Sequence, residues 1–246
     1  MRNVFFCFWM CFLLACHGAN TDIPAKETRT QVLEAPPSES GSDRLIVAFG
    51  DSLTAGSGVP QDLSYPAALQ RLLKDRSPSC RVINAGIGGE TSSEALSRLQ
   101  SIIEMKPRIV ILELGANDGL RGVPLAMIRK NLDAMITRLQ TAGIQVVLAG
   151  MRIPPNYGTE YTQGFHQIYV DLASEHHLVL IPFFLENVAG IPELNLEDGI
   201  HPTPEGYRII AKQVLQVIEP LLGLSSPQRH SAAEPQPRIR CFRLAA

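Results

Sequence analysis

The sequence predicts an α/β fold, a three-layer α/β/α sandwich built on a five-stranded parallel sheet. Five short runs rich in aliphatic and β-branched residues, at 45–49, 81–84, 109–112, 145–149 and 178–181, are near-continuous in apolar character, as strands covered on both faces are. Longer amphipathic stretches separate them in regular alternation, an order that calls for a parallel sheet with right-handed crossovers. The chain has 246 residues, 45% of them hydrophobic and 19% charged, enough for one large core and unlike a mostly disordered polypeptide.

Leu45-Ile46-Val47-Ala48-Phe49 is the first strand, and a helix over 65–74 follows with Leu69, Leu72 and Leu73 on one face. After the strand at 81–84, a helix over 91–105 repeats Ala95, Leu99, Ile102 and Ile103 as a single stripe, and Pro107 stops it ahead of the third strand. Pro124 opens a helix carrying Ile128, Leu132, Met135, Ile136 and Leu139, which runs to Gly143, a residue suited to a helix end. The strand at 145–149, a loop with proline and glycine, a helix over 162–176, the strand at 178–181 and a closing helix over 204–221 complete the domain at 44–224. No internal repeat interrupts the series.

The ends read differently. Arg2 precedes an apolar run at 4–14, too short for a membrane-spanning helix of about 20 residues but suited to the centre of a signal peptide. Leu13-Leu14-Ala15-Cys16 resembles a bacterial lipobox, which implies a leader at 1–15, lipid attachment at Cys16 and a periplasmic, membrane-anchored protein. An ordinary secretory leader cut near Ala19 is the alternative. Residues 16–43, rich in Thr, Ser, Pro, Glu and Lys, read as a flexible tether. Residues 225–246, with three prolines, four arginines and one acid, read as a disordered tail.

Lys and Arg number 22 against 24 Asp and Glu, a net charge of −2, which excludes strong electrostatic capture of nucleic acid. Cys7, Cys11, Cys16, Cys80 and Cys241 have neither zinc-site spacing nor the pattern of a disulfide framework. Gly86 to Thr91 does not fit Gly-x-Gly-x-x-Gly, and no Gly-Lys-Ser/Thr or His-Glu-x-x-His occurs, so neither cofactor nor metal is implied. Gly50-x-Ser52-x-Thr54 also lacks the second glycine of an α/β-hydrolase nucleophile elbow.

Open parallel sheets bind ligands beyond the carboxyl ends of their strands, and the polar residues gather there. Those loops read Gly50-Asp51-Ser52-Leu53, Ala85-Gly86-Ile87-Gly88-Gly89-Glu90, Gly115-Ala116-Asn117-Asp118 and, before the last helix, Asp198-Gly199-Ile200-His201-Pro202. A serine hydroxyl needs a base, and the base needs an acid to hold and charge-balance it. His201 can take the proton of Ser52, while Asp198, three residues earlier, can accept from the other ring nitrogen. Acyl transfer also requires donors aimed at the developing oxyanion, for which the Ser52 and Gly89 N–H groups and the Asn117 side-chain amide are candidates. As isolated features, Asp51-Ser52, Asn117-Asp118 and Asp198 to His201 would be ordinary turn and cap residues. His166, His176 and His177 lie outside these segments and read as helix-surface residues, and Asp118 reads as a loop-shaping group.

Taken together, Gly50-Asp51-Ser52-Leu53, Gly88-Gly89, Gly115-x-Asn117-Asp118 and Asp198-x-x-His201 resemble the four sequence blocks of the SGNH, or GDSL, hydrolases, in order and spacing. The resemblance spans residues 45–224 and implies that family's flavodoxin-like fold. Asn117-Asp118-Gly119-Leu120-Arg121-Gly122 and Arg152-Ile153-Pro154-Pro155-Asn156-Tyr157-Gly158 are similar to segments of its periplasmic thioesterase, lysophospholipase and arylesterase branch. It implies Ser52, Asp198 and His201 as catalytic triad and the Ser52 amide, Gly89 and Asn117 as oxyanion hole. Where relatives often carry serines and an aspartate, this chain reads Gly86-Ile87-Gly88-Gly89-Glu90, so Gly88 is the alternative donor. Asp51, Leu120, Arg121, Ile153 and Pro154 are candidate substrate-binding residues. The glycines around Leu120 and Arg121 allow either a mobile substrate-sensing loop or a plain helix lead-in. Glu113 ends a strand and reads as a structural hydrogen-bonding group. The implied activity is cleavage of carboxylic esters or thioesters, with small acyl esters, thioesters or lysophospholipids as substrates. A carbohydrate O-acetyl esterase and a catalytically silent lipid-binding lipoprotein are the alternatives.

Overall fold

The computed structural model describes residues 44–224, so the leader, tether, Cys16 and tail expected from the sequence lie outside the described residues. The five runs form β1 (Leu45–Gly50), β2 (Arg81–Gly86), β3 (Ile109–Glu113), β4 (Gln145–Ala149) and β5 (Val179–Ile181), all parallel, in the order β2-β1-β3-β4-β5. Each strand leads to a helix before the next strand: α1 (Ser52–Ala55) and α2 (Tyr65–Lys74), α3 (Ser92–Glu104), α4 (Ala116–Leu120) and α5 (Leu125–Thr141), then α6 (Thr159–Glu175). α7 (Pro204–Ile218) follows β5. The strand order reverses between β1 and β3, which opens a crevice beyond their carboxyl ends where doubly wound sheets place ligands.

Full cover on both faces holds for the centre of the sheet. Every residue of β1 and β3 is buried, as is β4 after Gln145, whereas β2 and β5 stand at the edges and are largely half-buried. α2 packs on α7, and α3 and α6 each pack on α5, giving helical layers whose predicted apolar stripes are buried at Leu69, Leu73, Ala95, Leu99, Ile102, Ile128, Leu132, Met135, Ile136 and Leu139, with Leu72 and Ile103 half-buried at their margins. α3 starts in a capping box, with Thr91 N–H donating to Glu94 Oε2 at 2.8 Å and the Glu94 N–H directed to Thr91 Oγ1 at 3.4 Å. Pro220 follows the end of α7, and a short 3₁₀ turn at Pro220–Leu222 replaces the last turn expected from the sequence. α6 begins three residues before its expected start, after Gly158.

The outer edge of β2 is occupied by side chains. The Val82 N–H donates to Gln70 Oε1 at 2.7 Å and Gln70 Nε2 donates to the Cys80 carbonyl at 3.1 Å, so one amide from α2 pairs with the strand as a neighbouring peptide would. Further along, Asn84 Oδ1 accepts the Gly86 N–H at 3.0 Å.

Candidate active site

β1 delivers the chain directly into α1, a single turn that the sequence pattern does not reveal. Asp51 caps it by accepting the Leu53 N–H at 3.0 Å, and Ser52 is its first residue. Such a tight turn needs room. A Cβ added to Gly86 would lie 2.2 Å from the Ala55 nitrogen, so the bare glycine at the end of β2 is what lets α1 sit against the sheet. Ser52 Oγ lies 2.9 Å from His201 Nε2, across 149 positions of sequence.

The loop before α7 supplies the rest of the relay. His201 Nδ1 lies 2.6 Å from Asp198 Oδ2, and Asp198 Oδ1 accepts the Ile200 and His201 N–H groups at 2.9 and 3.0 Å. The imidazole, followed by these two backbone donors, holds the Asp198 carboxyl down at about 2 although it is largely exposed. An ionised carboxylate on Nδ1 fixes the ring tautomer and leaves Nε2 free to accept a proton from Ser52 Oγ. The three separated residues therefore form one continuous hydrogen-bonded chain.

The second and third loops meet beside it. Gly89 has φ +76°, a left-handed conformation that side chains rarely adopt, whereas the alternative donor Gly88 has no positive φ. Asn117, in the first turn of α4, directs Nδ2 to Asp51 Oδ2 and to the Glu90 carbonyl, both at 3.1 Å, linking three of the four loops. Glu90 is itself held by Arg98, whose guanidinium also donates to the Ala85 carbonyl and stacks over Phe49 at 4.5 Å. Asp118 accepts both the Ser92 N–H at 2.8 Å and the Ser92 hydroxyl at 2.6 Å, the loop-shaping role expected of it.

A cavity of about 460 Å³ opens at this rim, lined in large part by apolar side chains that include Leu53, Leu120, Ile153, Pro154 and Phe183. Three of the five expected substrate contacts thus face it, and two do not. Asp51 is 1% exposed and lies beneath the site as cap and brace, because its carboxylate is drawn to the Leu53 and Asn117 donors. Arg121 turns to the Gly89 carbonyl at 2.9 Å and is not part of the lining. Residues 119 and 120 are helical, and the Tyr157 and Tyr161 hydroxyls donate to the Leu120 and Val123 carbonyls at 2.8 and 2.6 Å, the arrangement of a braced helix lead-in. Met151, after β4, and Phe183, Leu185 and Asn195, between β5 and α7, also line the cavity and were not anticipated, since these irregular stretches show no apolar period. Glu113 does form its expected hydrogen bond, accepting the Thr54 hydroxyl at 2.8 Å. Of the other histidines, His176 has an acid within reach, Asp133 at 2.6 Å, but among the described residues no serine hydroxyl is hydrogen-bonded to it.

The chain matches the GDSL-like Lipase/Acylhydrolase family over residues 48–209. It is 43% identical over 176 residues to an arylesterase of Vibrio mimicus, covering 71% of this chain and 88% of that one. To thioesterase 1/protease 1/lysophospholipase L1 of Escherichia coli K12 it is 36% identical over 189 residues, 76% of this chain and 88% of the other. Among solved structures, the psychrotrophic esterase EstA from Pseudoalteromonas sp., inhibited by monoethylphosphonate, superposes with a TM-score of 0.70 at 34% identity, covering 74% of this chain and all of that one (100%). The chain belongs to the GDSL-like, or SGNH, hydrolase family and is a serine hydrolase of carboxylic ester or thioester bonds.

Proposed function

We propose that Ser52 attacks the acyl carbonyl to give an acyl-enzyme that water then hydrolyses, and that the enzyme works as an exported lipoprotein anchored through Cys16. The observation that carries the catalytic part is the unbroken relay from Ser52 Oγ through His201 to Asp198 at an apolar cavity. In this reading His201 takes the Ser52 proton as the C–O bond forms, then returns it to the leaving alcohol or thiol as the carbonyl is restored. The N–H groups of Ser52 and Gly89 and the amide of Asn117 receive the oxyanion. Leu120, Ile153 and Pro154 contact the acyl chain. Each methylene taken out of water contributes about 0.8 kcal/mol, close to a fourfold change in an equilibrium or rate constant.

A series of p-nitrophenyl esters and acyl thioesters of increasing length tests this. The expected result is a stepwise rise of kcat/KM of about fourfold per methylene until the cavity is filled, with lysophospholipid accepted as well. A flat or falling series together with faster turnover of acetylated sugars would replace it with a carbohydrate O-acetyl esterase, and lipid binding without hydrolysis would leave only a lipid carrier.

The membrane arm rests on Leu13-Leu14-Ala15-Cys16, with residues 16–43 as the tether. Labelled palmitate is expected on Cys16, with processing blocked by globomycin, and Cys16→Ser should abolish both. A soluble, unlabelled mature chain would point to ordinary secretion.

A further inference from the structure

Beneath Ser52 lie two buried carboxyl groups that the relay does not use. Glu113 stands opposite Gly50 in the register of β1 and β3, where a Cβ on Gly50 would meet Glu113 Oε2 at 2.7 Å, so its carboxyl lies beside Asp51, the next residue. Asp51 and Glu113 are 1% and 0% exposed. Each Asp51 oxygen accepts one donor, Leu53 N–H on Oδ1 and Asn117 Nδ2 on Oδ2, which leaves a lone pair on each for a further donor. Glu113 Oε2 takes the Thr54 hydroxyl, and its other oxygen, Oε1, has no partner among the described residues. Neither carboxyl forms an ion pair with a lysine or arginine among the described residues. The groups facing them are the hydroxyls of Tyr65 from α2, Tyr169 from α6 and Tyr207 from α7, with Asp198 nearer Tyr207, and His201 beyond Asp51.

Two carboxylates this close and this far from water cannot both be ionised, because no lysine or arginine among the described residues pairs with them to offset their desolvation and mutual repulsion. We infer that Glu113 is a positioning residue that works as a neutral carboxylic acid, donating its proton to Asp51 so that the Asp51 carboxylate stays fixed between α1 and Asn117. Burial raises both groups, Asp51 to about 6 and Glu113 well above the ordinary carboxyl range, with the Asp51 charge adding to the effect of burial on Glu113. The proton resides on Glu113 because both Asp51 oxygens already accept N–H donors that favour its charge, whereas Glu113 accepts only the Thr54 hydroxyl and leaves Oε1 unpartnered among the described residues. The single negative charge sits on Asp51, where it draws the Leu53 and Asn117 donors into place. Glu113 also grips Thr54, the third residue of the helix that Ser52 begins, so one neutral acid registers the nucleophile and an oxyanion donor together.

Glutamine preserves this arrangement. Its Nε2 can donate to Asp51 and its Oε1 can accept from Thr54, whereas leucine fills the space and does neither. Glu113→Gln is expected to keep kcat within about threefold, while Glu113→Leu loses about ten- to a hundredfold in kcat with KM little changed, as misplacement of reacting groups does. The second readout is stability against pH. A group whose folded pKa is raised stabilises fully below its unfolded value and loses that contribution as pH rises towards the folded one. In urea unfolding of the Ser52→Ala protein, between about pH 6.5 and about pH 8, the folding constant should fall by up to tenfold more per pH unit than in the same protein carrying Glu113→Gln.

Equal slopes would mean Glu113 is already ionised in the native state, and would overturn the inference. So would a glutamine variant as impaired as the leucine variant, or a leucine variant with unchanged kcat. If the leucine variant does not fold, the two slopes still decide. Only the kinetic arm rests on the proposed roles of Ser52 and Asn117. The unfolding arm lacks the nucleophile altogether, so failure of the catalytic reading and failure of this one are told apart.

Discussion

Ser52→Ala is expected to lower kcat on a short p-nitrophenyl ester by a factor on the order of 10⁴ to 10⁶, with thermal stability within about 1 °C of the parent. The loss is large because in the proposed mechanism the hydroxyl is the atom that bonds to substrate, and among the described residues no other serine oxygen is hydrogen-bonded to His201. Stability should hold because the Ser52 hydroxyl has one side-chain partner, the His201 ring, which remains anchored by Asp198. His201→Ala should be nearly as damaging, and the double variant little worse than either single one, since the two groups act as a unit. An organophosphonate should label Ser52 in the parent, found by mass spectrometry of the peptide, and should label nothing in Ser52→Ala. A modified residue elsewhere, or activity within tenfold of the parent, would remove the assignment.

Asn117→Ala is expected to cost about 10²–10³ in kcat, the range for deleting one oxyanion donor, with KM changed much less. The resting geometry sharpens this expectation. Both Nδ2 hydrogens are engaged, one towards Asp51 and one towards the Glu90 carbonyl, so the amide is held before substrate arrives and, in the proposed role, shares a hydrogen with the oxyanion. A donor fixed in advance needs no reorganisation as charge builds, which is the source of its large effect. Truncation also leaves the Glu90 carbonyl without that donor, so urea unfolding should show a loss of about 1–3 kcal/mol in the same variant. If kcat falls by less than fivefold while stability drops, Asn117 is a brace between loops and the oxyanion is held by backbone N–H groups alone.

What the sequence revealed follows the reach of its signals. Near-continuous aliphatic runs mark buried parallel strands, and all five appear where expected, because Ile46 through Phe49 or Ile109 through Leu112 have no other way to avoid water. α1 and α4, with four and five residues, are too short to show a helical period; α1 is set instead by the Asp51 cap and the close approach at Gly86, and α4 follows Gly115 at φ +107° with no side-chain cap. Ser52, Asn117, Asp198 and His201 stood out because their residue types recur together at family spacing. Asp51 and Arg121 share those segments, yet neither lines the cavity, since a segment gives a residue's place along the chain and not the direction of its side chain. The wall built by Phe183, Leu185 and Asn195 had no legible pattern, as irregular backbone carries no period. Glu113 was seen as a hydrogen-bonding residue, but its pairing with Asp51 depends on the β1–β3 register, which no single strand encodes.

The amide of Gln70 gives the sheet a finished border. An incoming strand would first have to break the bonds that Gln70 makes to Val82 and Cys80, and the one Asn84 makes to Gly86, before gaining any of its own. Crowded copies of the enzyme thus meet along β2 a seam already stitched shut, which disfavours growth into fibrils from that side.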